Sequence, residues 1–474
     1  FFSEQKFSKF RSDINFLLCQ LFNKINKNKN DNDLLFLEIF NSRNDKIRMY
    51  DKIFYLNEIL GFIKKKKIKN IKIISDDKSF YNTYKSIKLK GLELDLIGNE
   101  KSYKLFNFYF YLKKTTLFFL KTFVFLFTLK LFSKKNNITN NKEANLSMFP
   151  HYFKNGKNNF YDNKFINLNF LISDETHLNN SLSKNILSIF KLKDKKNLIL
   201  TEQYISFGDV IFNFLNSMKR LKYLKEINNQ KIKLKKLDLS NQFRSLFLIS
   251  LLNYNKLKNY EKAILHITNE FKFKKLNYYL FEYNFGYFIA NLFRKYSPLT
   301  KLVGYQHGIY SERLMWQDFS KMISFENFFP DEIICKYECS VHQYKKNFLN
   351  SKVLKKFSKK NSNNFKKKKF FDKFFEVYLG LHDCNSMINE LRINSNNRSF
   401  FLYYHPKFKK RIELDLKNNF KTNIHKKKKD KFMKLLSPSS TISYQLENRE
   451  KFYIIKPKNM IPLNPKKFDK YKFA

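Results

Sequence analysis

From about residue 51 the chain switches repeatedly between segments of helical period and short apolar runs, and this alternation leaves few folds open. Residues 51–66 (DKIFYLNEILGFIKKK) have the pattern of an amphipathic helix, and IKNIKIIS, ending at Ser75, that of a strand. A further helical stretch follows Asp76 and Asp77, and LELDLIG at 92–98 is the next strand. NLNFLIS (167–173), NLILTE (197–202), KLVGYQ (301–306) and EIIC (332–335) continue the series, with helical patterns between them. Strands separated by helices pair in parallel, because only a long crossover returns the chain to the same end of the sheet. FFEVYLGL (374–381), SFFLYY (399–404) and FYII (452–455) begin a second unit of the same kind. The expectation is an α/β protein of two doubly wound lobes with a cleft between them. The N-terminal lobe spans 1–345, a Lys/Asn-rich linker 346–370, and the C-terminal lobe 371–474. A chain of 474 residues, 43% hydrophobic, is long enough for two such cores.

One stretch departs from the alternation. Residues 105–132 read LFNFYFYLKKTTLFFLKTFVFLFTLKLF, about the length of a membrane-spanning helix, but Lys113, Lys114, Lys121 and Lys130 interrupt them. At helical spacing Lys113, Lys114, Lys121 and Thr128 share one side, and the rest is almost entirely Phe, Leu, Tyr and Val. That pattern predicts an inserted amphipathic helix lying in the plane of a bilayer interface. The competing reading is a buried helix with snorkelling lysines. Residues 133–145 read as a loop.

The formal net charge of +51 argues for an anionic partner, but which one depends on how the charge is made. Only 11 of the 92 basic residues are arginine. Abundant Lys, Asn, Phe, Ile and Tyr reflect AT-rich codon usage more simply than selection for nucleic acid, whose readers favour the arginine fork. No nucleic-acid partner is expected; an anionic membrane surface and anionic substrates are. The cysteines Cys19, Cys335, Cys339 and Cys384 form no C-x-x-C pair, which predicts no metal site and a reduced, cytoplasmic setting. The sequence begins at Phe1 and shows no signal peptide with a cleavage site, and the N-terminus is expected to be incomplete.

Three short motifs carry residues suited to chemistry. GYQHG, Gly304 to Gly308, follows the strand KLV, so Gln306 and His307 come at the rim of a sheet, where open parallel sheets bind ligands. The glycines permit close approach and positive φ, and a histidine there is suited to take a proton from a hydroxyl. YYHPK, Tyr403 to Lys407, follows SFFLYY; Pro406 ends the strand where His405 emerges, and His405 and Lys407 can meet a phosphate. SPSSTIS, Ser437 to Ser443, has the pattern of a helix start, where free N–H groups and the hydroxyls of Ser439, Ser440 and Thr441 suit a phosphate. Taken singly, each is also an ordinary turn histidine, strand end or helix cap. His382 and Asp383 in GLHDCN end the first strand of the second lobe, and Lys336, Tyr337 and Glu338 follow EIIC. Asp174, Glu175, Glu202 and Glu282 are carboxylates at strand ends or beyond an apolar run, and each is an alternative base or a cap.

Taken in order, HG, then HP, then S-S/T, these motifs resemble those of the GT-B transferases of bacterial surface polymers. These include the glycerophosphate polymerases of teichoic acid and the capsule, sialyl and Kdo-type transferases. LFEYNFGYFIANLFRKYSPLTKLVGYQHGIYSERLMW (280–316) is also similar to surface-carbohydrate biosynthesis proteins of O-antigen loci. The resemblance covers roughly 280–456, and MFPHYFKN at 148–155 is a fainter echo. It implies two Rossmann-like, GT-B-like lobes, with the acceptor in the first and the donor nucleotide in the second. It implies that His307 acts as base or acceptor contact, with Glu282 as the alternative, and that His405, Ser439, Ser440 and Thr441 hold the donor phosphate. Tyr404 stands where a basic residue often precedes HP, and Arg313 and Arg411 are the only arginines near the motifs. The implied activity is metal-independent transfer of a sugar from a nucleotide-activated donor to a growing surface polysaccharide or lipid-linked acceptor, at the inner face of the cell membrane. No cofactor is implied beyond the nucleotide-sugar donor substrate. A CDP-polyol glycerophosphate or ribitol-phosphate transferase is the alternative, and a non-catalytic basic membrane- or RNA-binding protein the second.

Overall fold

A computed structural model of the chain describes residues 4–26, 32–41, 49–74, 78–87, 93–97, 103–133, 138, 142–147, 165–171, 182–192, 195–235, 237–280, 284–306, 329–335, 338–355, 371–379, 388, 391, 399–403, 432–436 and 452–454. The elements follow in chain order as α1 (Glu4–Ile25), α2 (Glu38–Asn41), α3 (Met49–Lys66), β1 (Asn70–Ile74), α4 (Lys78–Lys85), β2 (Glu93–Ile97) and α5 (Tyr103–Phe132). Next come β3 (Glu143–Ser147), β4 (Ile166–Asn169), α6 (Leu182–Leu192), β5 (Leu198–Leu200), α7 (Phe207–Lys219), α8 (Leu221–Asn229), the short β6 (Lys233–Leu234) and β7 (Leu237–Asp238), α9 (Ser240–Lys258) and α10 (Tyr260–Glu270). The third group is β8 (Lys275–Leu280), α11 (Asn284–Tyr296), β9 (Lys301–Gln306), β10 (Glu332–Cys335), α12 (Glu338–Asn347) and β11 (Lys352–Lys355). The last is β12 (Phe371–Tyr378), β13 (Ser399–Tyr403), β14 (Phe432–Leu436) and β15 (Phe452–Ile454).

Seven strands make one parallel sheet in the order β11-β10-β9-β8-β3-β4-β5. Numbered by their own succession and read from β5, they run 3-2-1-4-5-6-7, the doubly wound order that reverses direction between its first and fourth strands. Here that point lies between β3 and β8. Four strands make a second parallel sheet, β13-β12-β14-β15, whose own succession is 2-1-3-4. Its direction reverses between its first and third strands, β12 and β14. β1 and β2 pair in parallel as a separate two-stranded sheet, and β6 with β7 is a small antiparallel hairpin.

The main core runs from Phe10 to Val353 and covers both faces of β4 and β5, every residue of which is buried. The buried apolar side chains of the second sheet, including Phe375, Val377 and Leu435, do not join that cluster. The core also contains polar side chains. Asn145, Asn167 and Asn277 stand in one register row across β4, β3 and β8. Asn277 Nδ2 donates to Asn145 Oδ1 at 3.0 Å, and Asn167 Nδ2 donates to the Phe165 carbonyl at 2.9 Å. Burial without such partners would be costly.

Two boundaries differ from the sequence reading. β3 begins at Glu143, inside the segment expected to be a loop over 133–145. EANLS has little intrinsic β preference, and it is a strand because β4 and β8 pair with it on both sides. β11 lies inside the segment expected to be a linker over 346–370, pairing with β10 through Lys352 to Lys355 at the sheet's edge.

α5 is a single helix of 30 residues, and among the described residues it alone is long and apolar enough by composition to cross a bilayer. It is nevertheless part of the fold. Tyr111, Thr115, Thr122, Leu126 and Leu129 form a buried stripe. Tyr111 Oη donates to the Ser217 carbonyl at 2.6 Å and accepts from Asn255 Nδ2 at 2.8 Å. Burial pushes that phenol's titration upward despite Asn255 and Arg220 nearby. One side of the helix is thus buried in the core, and the opposite side is exposed.

Candidate functional site

The carboxyl ends of the seven parallel strands define one edge of the sheet, and the switch between β3 and β8 marks the crevice where such sheets take ligands. Leu280 and Gln306 are register partners at the ends of β8 and β9. The chain therefore leaves both strands at the same level, on neighbours about 4.8 Å apart. Glu282 comes two residues after Leu280 in sequence, and His307 directly after Gln306. Gln306 itself is buried at the strand's end.

Gly304 is described and sits within β9, paired with Tyr278 and Ile333. Of the two uses the glycine permits, close approach and positive φ, Gly304 serves the first. What the position requires is room: a Cβ would lie 3.1 Å from Pro330 Cγ and 3.3 Å from Leu280 Cδ1. The glycine lets β8 and the approach to β10 close over β9 two residues before its end.

The second sheet repeats the arrangement. Tyr378, at the end of β12, is in register with Tyr403 of β13 and Leu436 of β14. His405 and Lys407 follow β13, Ser439, Ser440 and Thr441 follow β14, and His382 and Asp383 follow β12. All three segments thus continue from the same edge of one sheet, and those after β12 and β14 flank its reversal point. The Tyr378 and Tyr403 rings stack at 4.7 Å, and both hydroxyls donate to Glu376, at 3.1 and 3.3 Å. Burial, with Glu376 adding to it, raises the Tyr403 phenol. The sequence reading did not identify β14, whose FMKLL has a lysine at its centre.

Of the site residues read from the sequence, Gly304, Gln306, Glu202 and, as the first residue of α12, Glu338 are described. Glu282, His307, Gly308, Arg313, His382, Asp383, His405, Lys407, Ser439, Ser440 and Thr441 lie outside the described residues, as do Asp174, Glu175, Lys336 and Tyr337. For them the backbone supplies the strand each follows and that strand's neighbours.

Glu202, one of the alternative bases, has a different use. It is fully buried, in the turn after β5. Its Oε1 accepts from the Leu171 backbone N–H and from Tyr260 Oη at 2.6 Å, tying β4, β5 and α10 together. Thr201 Oγ1 beside it donates to the Asn169 carbonyl at 2.7 Å. A carboxylate enclosed in this way orders the sheet's edge and cannot approach a substrate hydroxyl. Cys335, the last residue of β10, is a buried thiol, and Cys19 is a partly buried one whose titration burial raises.

Comparison of the chain with protein-family models, with curated proteins and with solved structures finds no match.

Proposed function

We propose that this chain is a glycosyltransferase of GT-B-like build, moving a sugar from a nucleotide-activated donor to a surface polysaccharide or lipid-linked acceptor. In this reading the two parallel sheets belong to two lobes whose carboxyl edges face each other across a cleft. The observation that supports it most is the company the motifs keep. HG follows β9, one strand from the reversal point of the first sheet, while S-S/T follows β14, beside the reversal point of the second, and HP follows β13, one strand from it. Ordinary turn histidines and helix caps have no reason to collect at or one strand from switch points.

The chemistry is direct displacement. An acceptor hydroxyl gives its proton to His307 as its oxygen attacks the donor carbon, and Glu282, which follows the neighbouring strand, is the substitute base. The bond from that carbon to the donor phosphate breaks, and the electron pair leaves with the phosphate. His405, Lys407 and the hydroxyls of Ser439, Ser440 and Thr441 stabilise the charge that develops there. Gln306, Arg313, His382 and Asp383 complete the crevice.

A thermal-shift comparison of UDP, GDP, CMP and CDP tests the reading. The expected result is stabilisation by one nucleotide at micromolar concentration. Ligand at 100 times its Kd adds about 2.7 kcal/mol. A response confined to CDP, with polyol phosphate transferred, would move the assignment to the polyol-phosphate transferases. No response to any nucleotide would remove the transferase reading.

A further inference from the structure

α5 carries two opposed stripes. The buried one holds it to the core, and the outward one is Leu117, Leu120, Val124, Phe127 and Leu131, at helical spacing. Phe127 is 60% exposed and Leu131 62%. Neighbouring helices extend this face. On one flank α7 meets α5 through the ring pairs Phe119–Phe214 at 5.4 Å and Phe123–Phe207 at 5.7 Å. On the other, α6 meets it through Phe132–Phe190 at 5.5 Å.

α7 is apolar on both sides: Val210 is buried and Phe207, Phe214 and Met218 pack against the core, yet its outward side is apolar too. Its inward positions include Asn213 and Ser217, and Asn213 donates to Asn259 Oδ1 at 3.0 Å. Its outward positions are Ile211, Phe212 and Leu215, each more than half exposed. A helix that had only to cover the core would carry polar residues at these outward positions. α6 adds Leu187 and Phe190, also exposed. The result is a three-helix apolar face, wider than a soluble monomer ordinarily shows to water.

The charges name the occupant. α5 carries five lysines, α6 two and α7 one, against a single carboxylate, Asp209. Asp209 is already engaged in the capping box with Ser206. Lys113, Lys114, Lys121 and Lys130 are exposed on α5 among the apolar residues. An apolar stripe with lysines and no free acid complements an anionic bilayer surface. We infer that α5, α6 and α7 together form a face that lies on such a surface, entering the headgroup boundary without crossing the membrane. α5 stays in plane because crossing would pull Tyr111 from Ser217 and Asn255 and open the core. This inference does not depend on the transferase reading, and the two fail separately.

The test is co-sedimentation of the full chain with vesicles of phosphatidylglycerol and phosphatidylcholine, and with vesicles of phosphatidylcholine alone. The expected result is binding to the anionic vesicles, partly released by salt, with about a fivefold contribution from each lysine at the surface. Leu120→Glu/Phe127→Glu/Phe212→Glu changes only exposed positions and should keep the native melting temperature and any nucleotide stabilisation. It should weaken vesicle binding about a hundredfold or more. Lys113→Gln/Lys114→Gln/Lys121→Gln should remove most of the preference for anionic lipid. Native-strength binding by the folded apolar triple variant would overturn the inference, as would a native chain that ignores both vesicles. A lipid-free dimer that the apolar triple variant dissolves would also overturn it, in favour of a second copy as the occupant.

Discussion

The seven-stranded and four-stranded sheets follow one rule and are built from different material. Both are parallel, both reverse direction between two inner strands, and both send their motif segments out from the carboxyl edge. The larger carries a row of buried asparagines and, at its edge, an enclosed glutamate. The described interior of the smaller is apolar, through Val377, Leu435 and Leu436. The larger sheet also surrenders more chain between its central neighbours: β3 and β8 pair in register, Asn145 with Asn277, although 132 positions separate them. The difference teaches that strand order and strand chemistry are independent. The order places the ends of strands, and the interior decides only how rigidly they are held. If the proposed function is right, the comparison is also a division of labour, with proton transfer at the first sheet and donor binding at the second.

The largest expected effect tests that division directly. His307→Ala should lower turnover about 10²–10⁴-fold while nucleotide binding stays close to native. Native turnover should itself fall on the acid side of its profile, because a protonated imidazole cannot accept the acceptor's proton. If the loss instead appears in the acceptor KM with kcat kept, His307 positions the acceptor and the base is Glu282. Full activity in a folded variant would take the histidine out of the mechanism.

Next in size is Glu202→Ala. It strands the Leu171 N–H and the Tyr260 hydroxyl inside the first sheet, and the expected loss is about 3 kcal/mol, read from chemical denaturation. A variant with native stability and lost turnover would make Glu202 a base after all and erase the contrast between a structural and a reactive carboxylate at that edge.

The smallest effect sharpens the comparison from the other side. His405→Ala and the pair Ser439→Ala/Ser440→Ala should each weaken nucleotide binding about ten- to a hundredfold, the loss typical of hydrogen bonds to a charged group. Both variants should keep the native fold. Unchanged nucleotide affinity, measured by calorimetry, would separate the second sheet from donor binding.

The legibility of these features follows their range. EIIC and KLVGYQ coincide residue for residue with β10 and β9, because a buried parallel strand announces itself as an unbroken apolar run. EANLS and FMKLL, which became β3 and β14, lack that run, and each is a strand through the neighbours that pair with it. Gly304 was legible as a position of close backbone approach, and the groups that approach it are Pro330 and Leu280 across the sheet. Glu202 looked like any other strand-end carboxylate, since nothing nearby in sequence indicates that Tyr260, 58 residues on, encloses it.

By itself the sequence determined the alternation of helix and strand, the parallel sense of the sheets, and which motif follows which strand. These are consequences of local periodicity and of how far a chain must travel to pair in parallel. Only the tertiary structure decided the strand order, the two reversal points, the level at which Leu280 and Gln306 end together, and which side of α5 is buried. A hydrophobic pattern records that a face must leave water. It does not record which of several apolar faces will cover it, and that choice is made by the packing of the whole chain.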